Sequence, residues 1–433
     1  MTKPKETIPE TDHNVYILGA GFSYEAGYPL IGNFMDIMRE AFLAIKDKEY
    51  GLPLKEVLDF RLKASSAAYR TRFDPENVED LFSLATATEN NKNSMAIAIA
   101  ETLAHCKRKK INRTIIFPKF DQEYEKEKLQ HFDLTNITGK PKFPAIDRYK
   151  LYAGIMAGKW GNTGLSSNTF ITFNYDLLLE ESFELFGIPY NYEGLPIKYD
   201  KIFQKMGIGF ELKYHDIPKM FVTHSEEDNV VTVIKLHGSI NWAVDTSNQK
   251  GQQKKFHIYP SYTAELAKEI RYNPESLFQE KELLLTPPVW DKGTTQGGHP
   301  LFRVWSQAIE KLKTATRIIV IGYSLPPTDA HFRFLLAAGL QENISLNKIV
   351  FVNPGLKEGD PNKLLLEERI FGVFRKELFE KGIIEFIGLE ANDFFTNKTL
   401  NGRNHEDILN RKIPISMEEE ERKYAAKTNI PPV

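Results

Sequence analysis

Short runs dense in Val, Ile, Leu and Phe punctuate the chain at Val15–Leu18, Phe170–Phe173, Val230–Leu236, Leu283–Leu285, Ile318–Ile321, Ile349–Val352 and Ile383–Ile387. Several are almost free of polar residues, as strands covered on both faces must be. Between them, Asn33–Lys46, Asp176–Phe186, Leu301–Lys313 and Asp329–Leu340 repeat apolar residues at the helical period. Alternation of this kind predicts an α/β fold, a doubly wound parallel sheet with helices on both faces.

The spacing is uneven. About 150 residues separate the first two runs, far too many for one crossover. Asn77–Thr88, Ser94–Lys107 and Arg148–Trp160 read as helices in that gap, so a large helical insertion is expected over about residues 35–165. Further interruptions fall at Tyr190–Asp228 and at Thr246–Gln279, the second polar and aromatic, as a β-ribbon or flexible loops would be. The expected division is one domain over residues 1–395 and a charged tail over 396–433, with Glu418–Glu421 as solvated surface.

Composition narrows the classes. With 433 residues, 42% hydrophobic and 26% charged, the chain can bury a sizeable core without cross-links. A formal net charge of −2 carries no footprint of a nucleic-acid binder, and direct nucleic-acid binding by this chain alone is not expected. Cys106 is the only cysteine, which excludes an internal disulfide and any cysteine-based zinc cluster; no zinc or other metal site is expected. No apolar run approaches the roughly 20 residues that span a bilayer, so no membrane partner is expected. The polar stretch Met1–Asn14 has no signal-like character, and the expected location is the cytoplasm.

Candidate chemistry gathers at the ends of the strands. Val15–Leu18 runs into Gly19-Ala20-Gly21-Phe22-Ser23 and then a helix. A glycine turn there lets the backbone approach a pyrophosphate, and the N–H groups of a helix start can face the anion. The dinucleotide pattern G-x-G-x-x-G is left incomplete, because Tyr24 stands at the third glycine position; alone, a tight turn binding nothing explains it as well. Three further runs lead into Asn174-Tyr175-Asp176, His237-Gly238-Ser239 and Gly322-Tyr323-Ser324, and a fourth into Asn353-Pro354-Gly355. Ligands of open parallel sheets sit beyond the carboxyl ends of the strands, so these groups predict one shared crevice. Thr172, Asn174 and Asp176 lie at period two and would face the same way on extended backbone.

Gly19–Ser23 (GAGFS), Thr172–Asp176 (TFNYD), Leu236–Ser239 (LHGS) and Ile321–Leu325 (IGYSL), in this order, resemble the motifs of the sirtuin superfamily. They more closely resemble its bacterial anti-phage branch, the NAD hydrolases of Thoeris-type and HerA-associated systems. The resemblance spans roughly residues 14–390 and implies a sirtuin-like Rossmann fold with NAD as substrate. Gly19, Ala20, Gly21 and Ser23 match the family's pyrophosphate loop, and Asn174 and Asp176 match its Asn-x-Asp motif beside the nicotinamide ribose. His237 matches the catalytic histidine, so His237 and Asn174 are the implied catalytic pair. Gly322 and Ser324 match the Gly-x-Ser segment near the adenosine, and Asn353 the residue that bonds the adenine ribose.

The implied activity is cleavage of the nicotinamide–ribose bond, giving nicotinamide and ADP-ribose, with NAD depletion and abortive infection as its use. The implied control is a homo-oligomer, or a partner such as a HerA-type DNA translocase. The deacetylase branch carries a four-cysteine zinc module and a Gly-x-Pro-Asp-Phe-Arg motif. Here Gly27-Tyr28-Pro29-Leu30-Ile31-Gly32 lacks that Asp, Phe and Arg, which favours hydrolysis by water over protein deacylation. Two alternatives stand beside this: a subunit that senses NAD or ADP-ribose without turnover, and a nuclease-type effector. The nuclease ranks last, since no carboxylate cluster of that type is present.

Other polar residues have structural explanations. His215, His224, His299 and His331 show no metal-ligand spacing and read as structural or surface residues. His105 and Cys106 are adjacent in a helix and cannot face one site together. Asp329 reads as a helix N-cap, Glu79 and Asp80 as helix-start charges, and Lys107–Lys110 as a helix C-terminus.

Overall fold

Seven strands pair in parallel in the computed structural model, which describes residues 12–46, 51–88, 91–114, 145–158, 164–186, 188–195, 230–245, 256–259, 281–287, 301–326, 330–395 and 405–409. In chain order the strands are β1 (Asn14–Leu18), β2 (Asn168–Thr172), β3 (Tyr190–Tyr192), β4 (Val231–Lys235), β5 (Gly238–Asp245), β6 (Phe256–Ile258), β7 (Lys281–Leu285), β8 (Arg317–Ile321), β9 (Lys348–Val352) and β10 (Ile384–Ile387). The main sheet has the order β10-β9-β8-β1-β2-β4-β3. From β1 the chain adds strands to one side and, from β8 onward, to the other, so a topological switch point lies between β1 and β8.

The register sets up the site. Leu18 lies opposite both Thr172 and Ile321, Thr172 opposite Lys235, and Ile321 opposite Val352. The carboxyl ends of five strands are therefore flush, and the residue after each stands on one edge. β1, β2, β4 and β8 are buried along their whole length, which explains their near-continuous apolar sequence.

The helices are α1 (Ala20–Tyr24), α2 (Ile31–Ile45), α3 (Gly51–Ala68), α4 (Val78–Ala87), α5 (Lys92–Thr114), α6 (Ala145–Met156), α7 (Leu178–Phe186), α8 (Phe302–Lys313), α9 (Ala330–Leu340), α10 (Lys363–Phe371), α11 (Lys376–Glu380), α12 (Ala391–Phe395) and α13 (His405–Ile408). Every described element between β1 and β2 is helical. α2 buries Phe34, Met35, Met38, Ala41 and Ile45, the spacing of one helical face. α4 starts at Asn77, whose side chain accepts from the amides of Glu79 and Asp80; both acids sit in the first turn, where the helix dipole favours them. On α5, Lys107, Arg108 and Lys109 pair with Glu181, Glu101 and Glu40, so these cations do not form an open basic patch. Among the described residues no helix is long and apolar enough to cross a membrane.

Two expectations change. Leu283–Leu285 does not join the parallel sheet: β7 pairs antiparallel with β5, and β6 completes a separate three-stranded sheet. A three-residue apolar run fits either kind of buried strand, and periodicity cannot separate them. Part of the expected solvated tail is packed. His405 is buried, and its Nε2 lies 3.0 Å from the hydroxyl of Tyr16 on the central strand. Glu418–Glu421, His215, His224, His299 and Asp329 lie outside the described residues.

Candidate active site at the carboxyl edge of the sheet

The turn after β1 and the turn after β8 are locked together through main chain. Gly19 N donates to Ile321 O at 3.1 Å, and Gly21 N to Gly322 O at 2.8 Å. A Cβ on Gly21 would stand 2.7 Å from Gly322 O. Gly322 has φ +63°, and a Cβ there would run into the main chain of Gly21 and Phe22. The close approach that these glycines permit is thus to each other's turn. The amides of Gly19, Gly21 and Phe22 are already used within the protein, so they are not free to bind a pyrophosphate as the motif alone suggests.

Asn174 joins the end of β2 to the same turn. Its Nδ2 donates to Gly19 O at 3.0 Å and to Ser23 Oγ at 3.2 Å. No hydrogen bond reaches its Oδ1 among the described residues. The backbone of Asn174 is itself held, since its N–H donates to Thr172 Oγ1, which donates to Leu18 O. Asp176 is buried; its Oδ1 accepts from Leu178 N at 3.0 Å, and Ser23 hydrogen-bonds its carboxylate. Burial pushes this carboxyl above the usual range, against the opposing pull of Lys235, the Leu178 amide and Ser23. Asp176 therefore stands behind Asn174 rather than beside it.

His237 ends the segment after β4 inside a box of rings. Its imidazole centroid lies 5.1 Å from Phe173, 6.3 Å from Tyr175 and 6.5 Å from Trp305. Tyr323 stacks on Phe173 at 4.6 Å and 3°, which brings the β8 turn to the same cluster. The turn is fixed by its neighbours: Thr286 N donates to His237 O, Tyr175 Oη donates to Thr286 O, and Trp305 Nε1 donates to Leu236 O. Desolvation by burial, with a smaller contribution from His331, lowers the His237 pKa to about 3. The imidazole is neutral at any physiological pH. Among the described residues no group hydrogen-bonds its ring.

Of the remaining candidates, Ala20 lies in the first turn of α1. Ser324 is exposed, and its carbonyl accepts from Arg369 at 3.3 Å. Asn353 stands on the same edge, but its Oδ1 accepts from Gly355 N at 2.9 Å and caps a short 3₁₀ turn. Sequence reading missed Lys235, Glu180 and Tyr192 behind Asp176, and Trp305 and His331 beside His237. No spacing marks these residues, since they come from separate elements. His331, read as structural or surface, lies 5.7 Å from Trp305 in ring centroids. Among the described residues no group of three or more His, Cys, Asp or Glu is arranged to hold a metal ion.

The glycine turn, the Asn174 loop and the His237 turn meet at a switch point, as in a dinucleotide-binding α/β protein. Residues 168–370 match the family model of the SIR2-like domain, a little under half of the chain, and the chain carries a sirtuin-like domain there. The match starts at β2, so Asn174, Asp176, His237, Gly322 and Asn353 fall within it and Gly19–Ser23 does not. A Sir2 homologue mutant in complex with 2′-O-acetyl ADP-ribose is 14% identical, with a TM-score of 0.36 over 89% of this chain and 90% of that one. A Sir2 with a p53 peptide and NAD+ is 13% identical, with a TM-score of 0.33 over 89% and 91%. No curated protein matches the chain.

Proposed function

We propose that the chain is an NAD glycohydrolase in which Asn174 and His237 act on the nicotinamide–ribose bond. The observation that carries this is one junction of three motifs. Asn174 is bonded to Gly19 and Ser23, while the adjacent Phe173 ring touches the imidazole of His237.

The bond between C1′ and the nicotinamide nitrogen breaks with its electron pair leaving on nicotinamide, and positive charge builds at C1′ of the ribose, an oxocarbenium-like state. The Oδ1 of Asn174 suits a role in stabilising that charge and orienting a water. The water oxygen bonds to C1′, and its proton passes to solvent through the site. A neutral imidazole can accept a hydrogen bond from a ribose hydroxyl, and burial keeps His237 neutral. The ring box of Phe173, Tyr175 and Trp305 supplies a low-dielectric wall, in which such interactions gain strength. In this reading the Gly19–Gly21 turn shapes the floor for the dinucleotide, and Gly322 and Ser324 lie toward the adenosine. NAD depletion in anti-phage defence, restrained by self-assembly or a HerA-type translocase, is the setting that the motif resemblance supports.

The test is incubation of the purified chain with NAD and identification of products, with His237→Ala and Asn174→Ala in parallel. Nicotinamide and ADP-ribose should appear with the parent and with neither variant. Equal release by both variants would sink the assignment.

A further inference from the structure

The chemistry proposed above makes no use of a pair of buried charges that touches its machinery. Lys235, the last residue of β4, and Glu180, in the first turn of α7, meet at 2.9 Å with side chains 1% and 2% exposed. Tyr192, on the edge strand β3, donates its hydroxyl to the same carboxylate oxygen at 2.7 Å. The other oxygen of Glu180 has no hydrogen-bond partner among the described residues. Burying two charges costs more than their attraction returns unless the remaining lone pairs are satisfied, and here one oxygen is not. Apolar side chains of similar volume would serve the core as well, so stability does not explain the pair.

The second bond of Lys235 supplies the explanation. Its Nζ donates to the main-chain carbonyl of Asp176. The Asp176 side chain is tied to Leu178 N and to Ser23, and Ser23 Oγ accepts the Nδ2 of Asn174. A charge-assisted bond from a fully buried ammonium is strong and directional, and it reaches the loop from the side opposite the glycine turn. We propose that Lys235 is a positioning residue for Asn174, with Glu180 and Tyr192 anchoring its ammonium beneath the 174–176 loop. For its effect on turnover the proposal rests on the hydrolase reading; for its effect on the loop it does not.

The test uses the full chain with the neutral pair Lys235→Met/Glu180→Gln, which removes both members of the buried ion pair together. Native-state hydrogen exchange is read at Asn174 and Leu178, whose amides are bonded to Thr172 Oγ1 and Asp176 Oδ1. Exchange there should rise roughly tenfold while β2 and β4 stay as protected as in the parent. Nicotinamide release should lose roughly 10- to 100-fold in kcat, with KM held within about threefold, because a misplaced group costs rate more than binding. Unchanged exchange at 174–178, a rise spread evenly over the sheet, or parental kcat overturns the proposal. Tyr192→Phe keeps both charges and removes only the anchoring hydroxyl, so it carries the exchange test if the double variant does not fold. Faster exchange confined to 174–178 supports the proposal there, and none overturns it. A parent that releases no nicotinamide counts against the hydrolase reading alone, and exchange then decides.

Discussion

The two edges of the sheet carry similar residues put to opposite use. At the amino edge Asn14 donates to Asn168 at 3.0 Å and accepts from Arg317 at 3.3 Å, while Asn168 Nδ2 also reaches the carbonyls of Ala157 and Gly164. His13 sits there with Nδ1 on Thr314 and Nε2 on Thr169, both at 2.9 Å. Every one of these groups finds its partner inside the protein, and the three strand starts are held in register. At the carboxyl edge, among the described residues, the Asn174 side chain commits only its nitrogen, and His237 is walled by rings with no hydrogen bond to its imidazole. Burying a histidine or an asparagine therefore says little; where its hydrogen bonds end says a great deal.

The largest effect should separate the edges by activity. His237→Ala and Asn174→Ala should each lower nicotinamide release by roughly 10³-fold or more, with the fold retained by circular dichroism. His13→Gln should leave release within about twofold of the parent, since His13 lies at the far end of β1. If His13→Gln proves as damaging as His237→Ala, the division of the edges is wrong.

Next in size is Gly322→Ala. Alanine at φ +63° is strained, and its Cβ meets the main chain of Gly21 and Phe22, which cannot yield as a side chain would. A loss of roughly 2–4 kcal/mol in urea unfolding is expected, with activity reduced because the glycine turn shifts. The turn shows how far the sequence could be read. The motifs GAGFS, TFNYD, LHGS and IGYSL marked the four strand ends, and apolar runs marked six of the seven strands of the main sheet, but not its edge strand β3 nor the buried β5 of the small sheet. The partner of the glycines was not legible, because a G-x-G turn looks the same whether it admits a phosphate or another turn. Lys235 was hidden for a different reason: it ends an apolar strand, where a lone lysine reads as a solvated end. Only the arrival of Glu180 from α7 and Tyr192 from β3 makes it a buried cation.

Asn168→Ala should cost stability and nothing else. It removes bonds to Asn14, Ala157 and Gly164 and leaves their polar atoms buried, which is worth about 1–3 kcal/mol in chemical denaturation. The kcat of the surviving folded protein should match that of the parent. A drop in kcat at full folding would mean that the two edges communicate through β2.

The smallest effect concerns acid, and here the edges should behave alike in stability and differ in function. Burial lowers His13 to about 4 and His237 to about 3, whereas both titrate near 6.5 in the unfolded chain. As pH falls through 6.5 the unfolded chain takes up protons that the folded chain refuses. The stability tied to each neutral imidazole is complete above 6.5, declines below it, and stops declining only beneath the folded pKa. Between about pH 7.5 and 5.5 each histidine should account for about 1 kcal/mol of lost stability. His13→Gln and His237→Gln should each flatten the urea-midpoint profile by that amount. Only His237→Gln should abolish nicotinamide release. In the parent, His237 should impose no fall in rate near 6.5, because the folded imidazole is still neutral there. An acid limb centred on 6.5 that disappears in His237→Gln but persists in His13→Gln would show that this ring is far more open to water than its wall of rings allows.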